Sequence, residues 1–144
     1  MLKGRGAIGD DNFLVHAGDT YILSESSMHH RRLARAFEET KADAVFAVKR
    51  MSDTRDRGII DGERIGDGLY RATRAVEKPE VPFSDLAIEP VYLFGPSIFE
   101  SLINTKPGYG SEIQLTDAIE GLIRMGRSVY ASELRDQDLR LDHR

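Results

Sequence analysis

Apolar residues in this chain come in short runs separated by longer amphipathic stretches, an alternation that predicts an α/β fold. Phe13-Leu14-Val15-His16-Ala17 is too short for a helix, is rich in strand formers and stops at Gly18-Asp19. Over residues 28–41, Leu33, Ala36 and Phe37 share one helical face while Arg31, Arg32, Arg35, Glu38 and Glu39 occupy the others. The serines between Ser24 and Ser27 offer the N-cap. Ala44-Val45-Phe46-Ala47-Val48 is a second strand of the buried type. Strand, helix and strand with apolar runs predict a parallel pair joined by a right-handed crossover, and so a mostly parallel sheet with helices on both faces.

Between residues 52 and 68 the pattern turns polar, and Gly58, Gly62, Gly66 and Gly68 punctuate it. This predicts a short strand over 58–60 and a turn-rich hairpin running into 69–76. A loop around Pro79 and Pro82 leads to a strand over 86–94, in which Pro90 lacks the ladder N–H and requires an edge position or a bulge. Pro96 suits the first turn of a short helix reaching Leu102. A longer helix follows over 115–125 with Gly126 as its stop, and then a last short strand over 128–131.

Composition narrows the function classes. The 144 residues, 40% hydrophobic and 31% charged, suit one globular domain spanning 1–144 with a real core. The absence of cysteine removes disulfides, thiolate ligands and thiol nucleophiles, and it points to a reducing, cytoplasmic setting. A net charge of -4 argues against nucleic acid as a partner. No apolar run approaches the roughly 20 residues of a membrane span, and the first nine residues are too short and glycine-rich for a signal peptide, so no membrane partner is expected.

Several residues invite chemistry. In α/β sheets ligands sit beyond the carboxyl ends of strands, and Asp19 follows an apolar strand and a glycine. Its carboxylate suits Mg²⁺ there, or else simply caps a turn. Glu77-Lys78-Pro79 ends another strand, with Pro79 biasing Lys78 toward an extended backbone. A carboxylate beside an ammonium can read a sugar phosphate, or be a solvated ion pair. Capping accounts for Thr116 and Asp117 at a helix start, but less well for Glu112 and Gln114. His29-His30 reads as solvated, since neighbours on a helix point apart.

Four segments taken together carry a resemblance. Phe13-Leu14-Val15-His16-Ala17-Gly18-Asp19-Thr20, Val76-Glu77-Lys78-Pro79, Leu86-Ala87-Ile88 with Tyr92-Leu93-Phe94, and Glu112-Ile113-Gln114-Leu115-Thr116-Asp117-Ala118-Ile119 resemble the sugar-phosphate nucleotidyltransferases in order and spacing over about residues 9–142. The look is that of glucose-1-phosphate thymidylyl- and uridylyltransferases. The resemblance implies a Rossmann-like sheet and attack of a sugar 1-phosphate on a nucleoside triphosphate, UTP or dTTP, with release of pyrophosphate. It implies Mg²⁺ held by Asp19, sugar hydroxyls read by Glu77 and the sugar phosphate gripped by Lys78, with Asp19 and Lys78 as the catalytic residues. It further makes Gly58 the glycine of the sugar pocket and puts Tyr92 and Glu112 among the substrate-binding positions. Asp142 stands where a second metal-binding aspartate of an Asp-x-Gly motif belongs, although His143-Arg144 lacks the glycine.

The family opens with a strand and a glycine-rich loop carrying an arginine and a lysine that cradle the triphosphate. Lys3-Gly4-Arg5-Gly6-Ala7 has no strand before it and reads as a remnant of a later glycine-rich segment. The expected unit is therefore a partial, N-terminally truncated domain, the sugar-phosphate-accepting half, without the family's C-terminal extension. Two readings stay open: a nucleotidyltransferase inactive as this piece, or a non-catalytic sugar-phosphate-binding or subunit-interaction module. A missing central strand would leave residues 13–17 unpaired along one side, which predicts a homo-oligomer that buries them.

Overall fold

In the computed structural model, which describes residues 1–142, the run at 44–48 becomes β3 (Ala44–Arg50), buried on both faces. Its alternate side chains enter two cores. Ala44, Phe46 and Val48 pack with α3 (Ser97–Asn104) and α4 (Leu115–Arg124), while Val45 and Ala47 pack with Leu33, Ala36 and Phe37 of α2 (Met28–Thr40). Helices thus cover both faces, as expected. The Ser24 hydroxyl accepts the His29 N–H at 3.3 Å near the start of α2, and Gly126 takes a positive φ of 76° just past α4.

The expectation of a mostly parallel sheet is wrong. The six strands run in the order β1 (Phe13–His16), β6 (Leu86–Phe94), β3, β7 (Val129–Glu133), β5 (Leu69–Glu77), β4 (Gly58–Gly66), and among the described pairings β3 with β7 alone is parallel. β1 and β3 do point the same way, but β6 runs antiparallel between them, so the helix joining them crosses over a strand supplied much later in the chain. A local apolar pattern cannot report which strand will be inserted.

Pro90 meets its constraint by a bulge. Phe46 pairs with Tyr92 and Val48 with Ile88, so Ala47 alone stands opposite Glu89, Pro90 and Val91. At the bulge β6 also exchanges neighbours, with Leu86 and Ala87 beside β4 and residues 91–94 beside β1. The place where the flanking strand changes from β4 to β1 is a cleft.

Two short strands had no counterpart in the sequence pattern. β2 (Thr20–Leu23) and β8 (Leu139–Asp142) form a separate antiparallel ribbon in which Thr20 faces Asp142, Tyr21 faces Leu141, and Leu23 faces Leu139. Lys3 to Ala7 is helical, forming a 3-10 turn and then α1 (Arg5–Ile8), with the Arg5 guanidinium 5.9 Å from the Phe99 ring. β1 is the terminal strand of its sheet. Its Phe13 and Val15 pack against the core beneath α3 and α4 while Leu14 is 47% exposed, so this run is covered on one face only.

Candidate active site in the cleft at the β6 bulge

Glu77, the last residue of β5, pairs across the hairpin with Gly58, the first of β4. The Glu77 carboxylate accepts a 2.6 Å hydrogen bond from Oγ1 of buried Thr116 on α4. A Cβ on Gly58 would stand 2.7 Å from that hydroxyl and 2.8 Å from Glu77 Oε2, so this position must be glycine for the hydroxyl and carboxylate to meet. Thr116 is therefore not the helix cap expected from sequence. Gln114 occupies the cap position of α4 without a side-chain cap bond, and its amide donates to the Tyr109 carbonyl at 3.1 Å.

These groups open into a cleft of about 470 Å³ whose lining also includes Asp19, Arg57, Ile88, Pro90, Tyr92 and Arg140. Tyr92 lies just past the bulge. Burial, followed by the Glu77 and Glu89 carboxylates, pushes its hydroxyl well above the ordinary phenol range, so it remains a neutral hydrogen-bonding group.

Lys78 departs from expectation. Pro79 disfavours the right-handed helical region for the residue before it, but the result is not an extended backbone: Lys78 has a φ of 43°, on the left-handed side. Its N–H still donates to the Arg57 carbonyl at 3.0 Å, completing the hairpin, and the chain must turn sharply immediately afterwards. The ammonium lies over the Tyr109 ring, 4.8 Å from its centroid, beside the cleft lining. Glu112 is exposed beyond the short turn Tyr109–Ser111 and does not line the cleft.

The two aspartates are brought together, by a route different from that expected. Asp19 sits in the exposed turn that opens β2, not at the end of a parallel strand. Thr20 Oγ1 lies 3.4 Å from Asp19 Oδ1 and 3.4 Å from Asp142 Oδ1, because the ribbon register sets Asp142 opposite Thr20. Asp142 accepts a 2.8 Å bond from Arg140 Nε, which holds its carboxyl below the usual range. Arg140 in turn reaches both oxygens of fully buried Glu89 at 2.9 and 3.1 Å; burial pushes Glu89 upward and Arg140 opposes it. His143 and Arg144, which stand where the glycine motif would continue, lie outside the described residues.

The donor set suits a hard cation. Two carboxylates flank one hydroxyl, and Mg²⁺ characteristically takes one or two protein carboxylates with the rest from phosphates and water. Among the described residues no three His, Cys, Asp or Glu side chains converge into a full cage.

His29 and His30 are not solvated. His29 is 3% exposed and its ring lies 4.0 Å from that of His30, which stands 5.7 Å from His16 at the end of β1. The first turn of α2 tucks beneath the β1 terminus, an arrangement that helix spacing alone does not reveal.

Comparison with known proteins bears on the family and the fold. Over 128 residues the chain is 38% identical to a Methanocaldococcus jannaschii protein assigned as a UTP–glucose-1-phosphate uridylyltransferase, covering 86% of this chain and 44% of that relative. It is 33% identical over 134 residues to the glucose-1-phosphate thymidylyltransferase of Streptomyces griseus, covering 92% and 35%. A UDP-glucose pyrophosphorylase crystallised with UDP-glucose superposes with a TM-score of 0.89 at 29% identity, over 98% of this chain and 54% of that one. The chain belongs to the sugar-phosphate nucleotidyltransferase family. No family model matches it. The chain spans less than half the length of those curated relatives. Sequence reasoning about it missed Thr116, Arg140 and Glu89; the one available signal was Glu89-Pro90 within an otherwise apolar strand, where a buried carboxylate needs a cation.

Proposed function

We propose that this chain carries the sugar-phosphate side of a nucleotidyl transfer in which a sugar 1-phosphate, glucose 1-phosphate by the relatives' names, reacts with UTP or dTTP. A phosphate oxygen of the sugar 1-phosphate attacks the α-phosphorus of the triphosphate. The oxygen–phosphorus bond forms as the bond to the β-phosphate's bridging oxygen breaks, giving a nucleotide sugar and pyrophosphate. Such a reaction asks a protein mainly for positioning and charge neutralisation.

The observation that carries this reading is the Glu77 carboxylate, fixed by Thr116 against a glycine wall in the same cleft as Asp19. Glu77 would accept hydrogen bonds from sugar hydroxyls, and Gly58 would let the ring approach the backbone. Lys78 has a four-carbon stem long enough to exchange the Tyr109 ring for a phosphate. Tyr92 would hydrogen-bond the sugar as a neutral hydroxyl, and Glu112 would act from the rim. Asp19 and Asp142 would hold Mg²⁺, which when bound neutralises phosphate charge. Nucleoside triphosphates are cytoplasmic substrates, so we infer a cytoplasmic site of action. Among the described residues no helix is long and apolar enough to cross a membrane.

Pyrophosphate release from the chain with Mg²⁺, glucose 1-phosphate and either triphosphate tests the reading. Release should depend on the sugar phosphate, and Lys78→Ala should lower it by roughly tenfold or more with the melting temperature unchanged, because Lys78 acts on a phosphate and adds little to folding. Calorimetric binding of glucose 1-phosphate without release would fit both a nucleotidyltransferase inactive as this piece and the non-catalytic module. Neither binding nor release would overturn both readings.

A further inference from the structure

We propose that Arg57 is a second phosphate-binding residue of the cleft, closing on the phosphate of a sugar 1-phosphate with a forked, two-bond grip while Lys78 meets it from the rim. The inference rests on the sugar-phosphate reading of the cleft and holds whether or not transfer follows. Arg57 immediately precedes Gly58, and its backbone is anchored on both sides. Its N–H donates to the Thr54 carbonyl at 3.1 Å, and its carbonyl accepts the Lys78 N–H at 3.0 Å. Gly58 pairs with Glu77 across the hairpin, so Arg57 and Lys78 follow as the next facing residues. The two cations therefore leave neighbouring points of the backbone, directly beyond the carboxylate and the glycine proposed to seat the sugar.

What sets Arg57 apart is an uncommitted guanidinium. It lines the cleft half-buried, and among the described residues its side chain makes no ion pair and no hydrogen bond. Arg140, the other arginine of the lining, is committed to Glu89 and Asp142. The charge of Arg57 nevertheless reaches the cleft floor. The Arg140 bond chiefly lowers the Asp142 carboxyl and burial chiefly raises that of Glu89, and on both the Arg57 guanidinium exerts a further downward pull. The remaining charges of the lining are the carboxylates of Asp19, Asp56 and Glu77. A phosphate dianion entering among three carboxylates is repelled unless a cation meets it, and Arg57 is the lining cation with no carboxylate partner among the described residues. A guanidinium offers two parallel N–H groups that match two phosphate oxygens, which an ammonium cannot do. Lys78 and Arg57 thus have different parts. Lys78 is a mobile point charge that arrives from the Tyr109 ring, whereas Arg57, on its anchored turn, sets how the phosphate is oriented. Orientation matters because the attacking oxygen must line up with the α-phosphorus.

The test is calorimetric binding of glucose 1-phosphate, with Mg²⁺ present throughout, to the chain and to its Arg57→Gln and Arg57→Lys variants, joined to a phosphorus NMR titration of the bound ligand. Arg57→Gln should weaken binding roughly tenfold or more, the scale of a lost charge-assisted pair, with the melting temperature unchanged. Arg57→Lys keeps the charge without the fork and should recover only part of the affinity. The guanidinium favours the phosphate dianion, so the pKa of the bound phosphate should rise by about one unit in Arg57→Gln. A residue that merely shaped the turn would weaken binding without moving that pKa. Binding of UTP alone should be the same in parent and variant. Parent-like glucose 1-phosphate binding in Arg57→Gln, weakened binding with an unmoved phosphate pKa, or a loss confined to UTP overturns the inference and leaves the sugar-phosphate reading standing. A parent chain that binds no glucose 1-phosphate overturns that reading itself, and the inference with it.

Discussion

Acid should destabilise this protein through His29 over and above any effect of its carboxylates. The imidazole is buried, Nδ1 bonds the Ser24 hydroxyl, and Nε2 has no partner among the described residues, as is also true of Nε2 of His16 and His30. Burial, followed by the neighbouring His30, pushes the pKa of His29 from 6.5 down to about 4, against the pull of Asp138. Well above pH 6.5 the ring is neutral in folded and unfolded chains alike and contributes no pH dependence. Below 6.5 the unfolded chain takes up a proton that the folded chain refuses, so stability falls until the folded ring titrates near pH 4. At 1.36 kcal/mol per pH unit the whole gap is at most about 3 kcal/mol. By pH 5 about 2 of this is lost, reduced to between about 1 and 2 by solvent screening and the adjacent Arg32–Asp138 ion pair. The assay is urea unfolding of the parent and of His29→Gln at pH 8 and pH 5. The variant should start less stable at pH 8, yet its loss on going to pH 5 should be smaller than the parent's by that amount. Equal losses in the two proteins would refute the reasoning.

Other substitutions probe the cleft. Gly58→Ala should cost about 1 to 3 kcal/mol in urea unfolding by prising Thr116 from Glu77, and it should weaken glucose 1-phosphate binding measured by calorimetry. Thr116→Val removes the same hydrogen bond without crowding and should cost only about 1 kcal/mol, while still lowering sugar-phosphate affinity. Glu89→Ala leaves the Arg140 guanidinium with Asp142 as its remaining carboxylate partner and should cost about 3 kcal/mol by thermal or urea unfolding, whereas Asp53→Ala, which breaks an exposed pair with Arg55, should leave the melting temperature within error.

What could be read from the sequence is what local pattern controls. β3, β6, α2 and α4 each announce themselves through runs or periodicity within a single window, and a proline in β6 required an edge position or a bulge before any strand was placed. The ribbon did not announce itself: its two strands have four residues each and find each other across nearly the whole chain, so neither Thr20 nor Asp142 carries a local sign of the other. The direction of the sheet was misread for the same reason, since β6 enters between β1 and β3 from far along the chain. Within the cleft, Glu77 and Gly58 stood at recognisable strand ends. Thr116 was hidden because a threonine at a helix start has a sufficient local explanation, and Lys78 because a proline constrains the residue before it without dictating which permitted region it takes.

The left-handed backbone at Lys78 sets folding and chemistry against each other at one position. A lysine there bears a conformational cost of about 1 kcal/mol that glycine would not. Lys78→Gly is therefore a change that a selection for heat tolerance would reward, and on the proposed reading one that discards the phosphate grip. Laboratory evolution of this chain under thermal pressure alone should drift toward glycine or asparagine at residue 78. Retention of lysine through such a drift, with no activity demanded, would mean that its contact with Tyr109 stabilises the fold by more than its backbone costs.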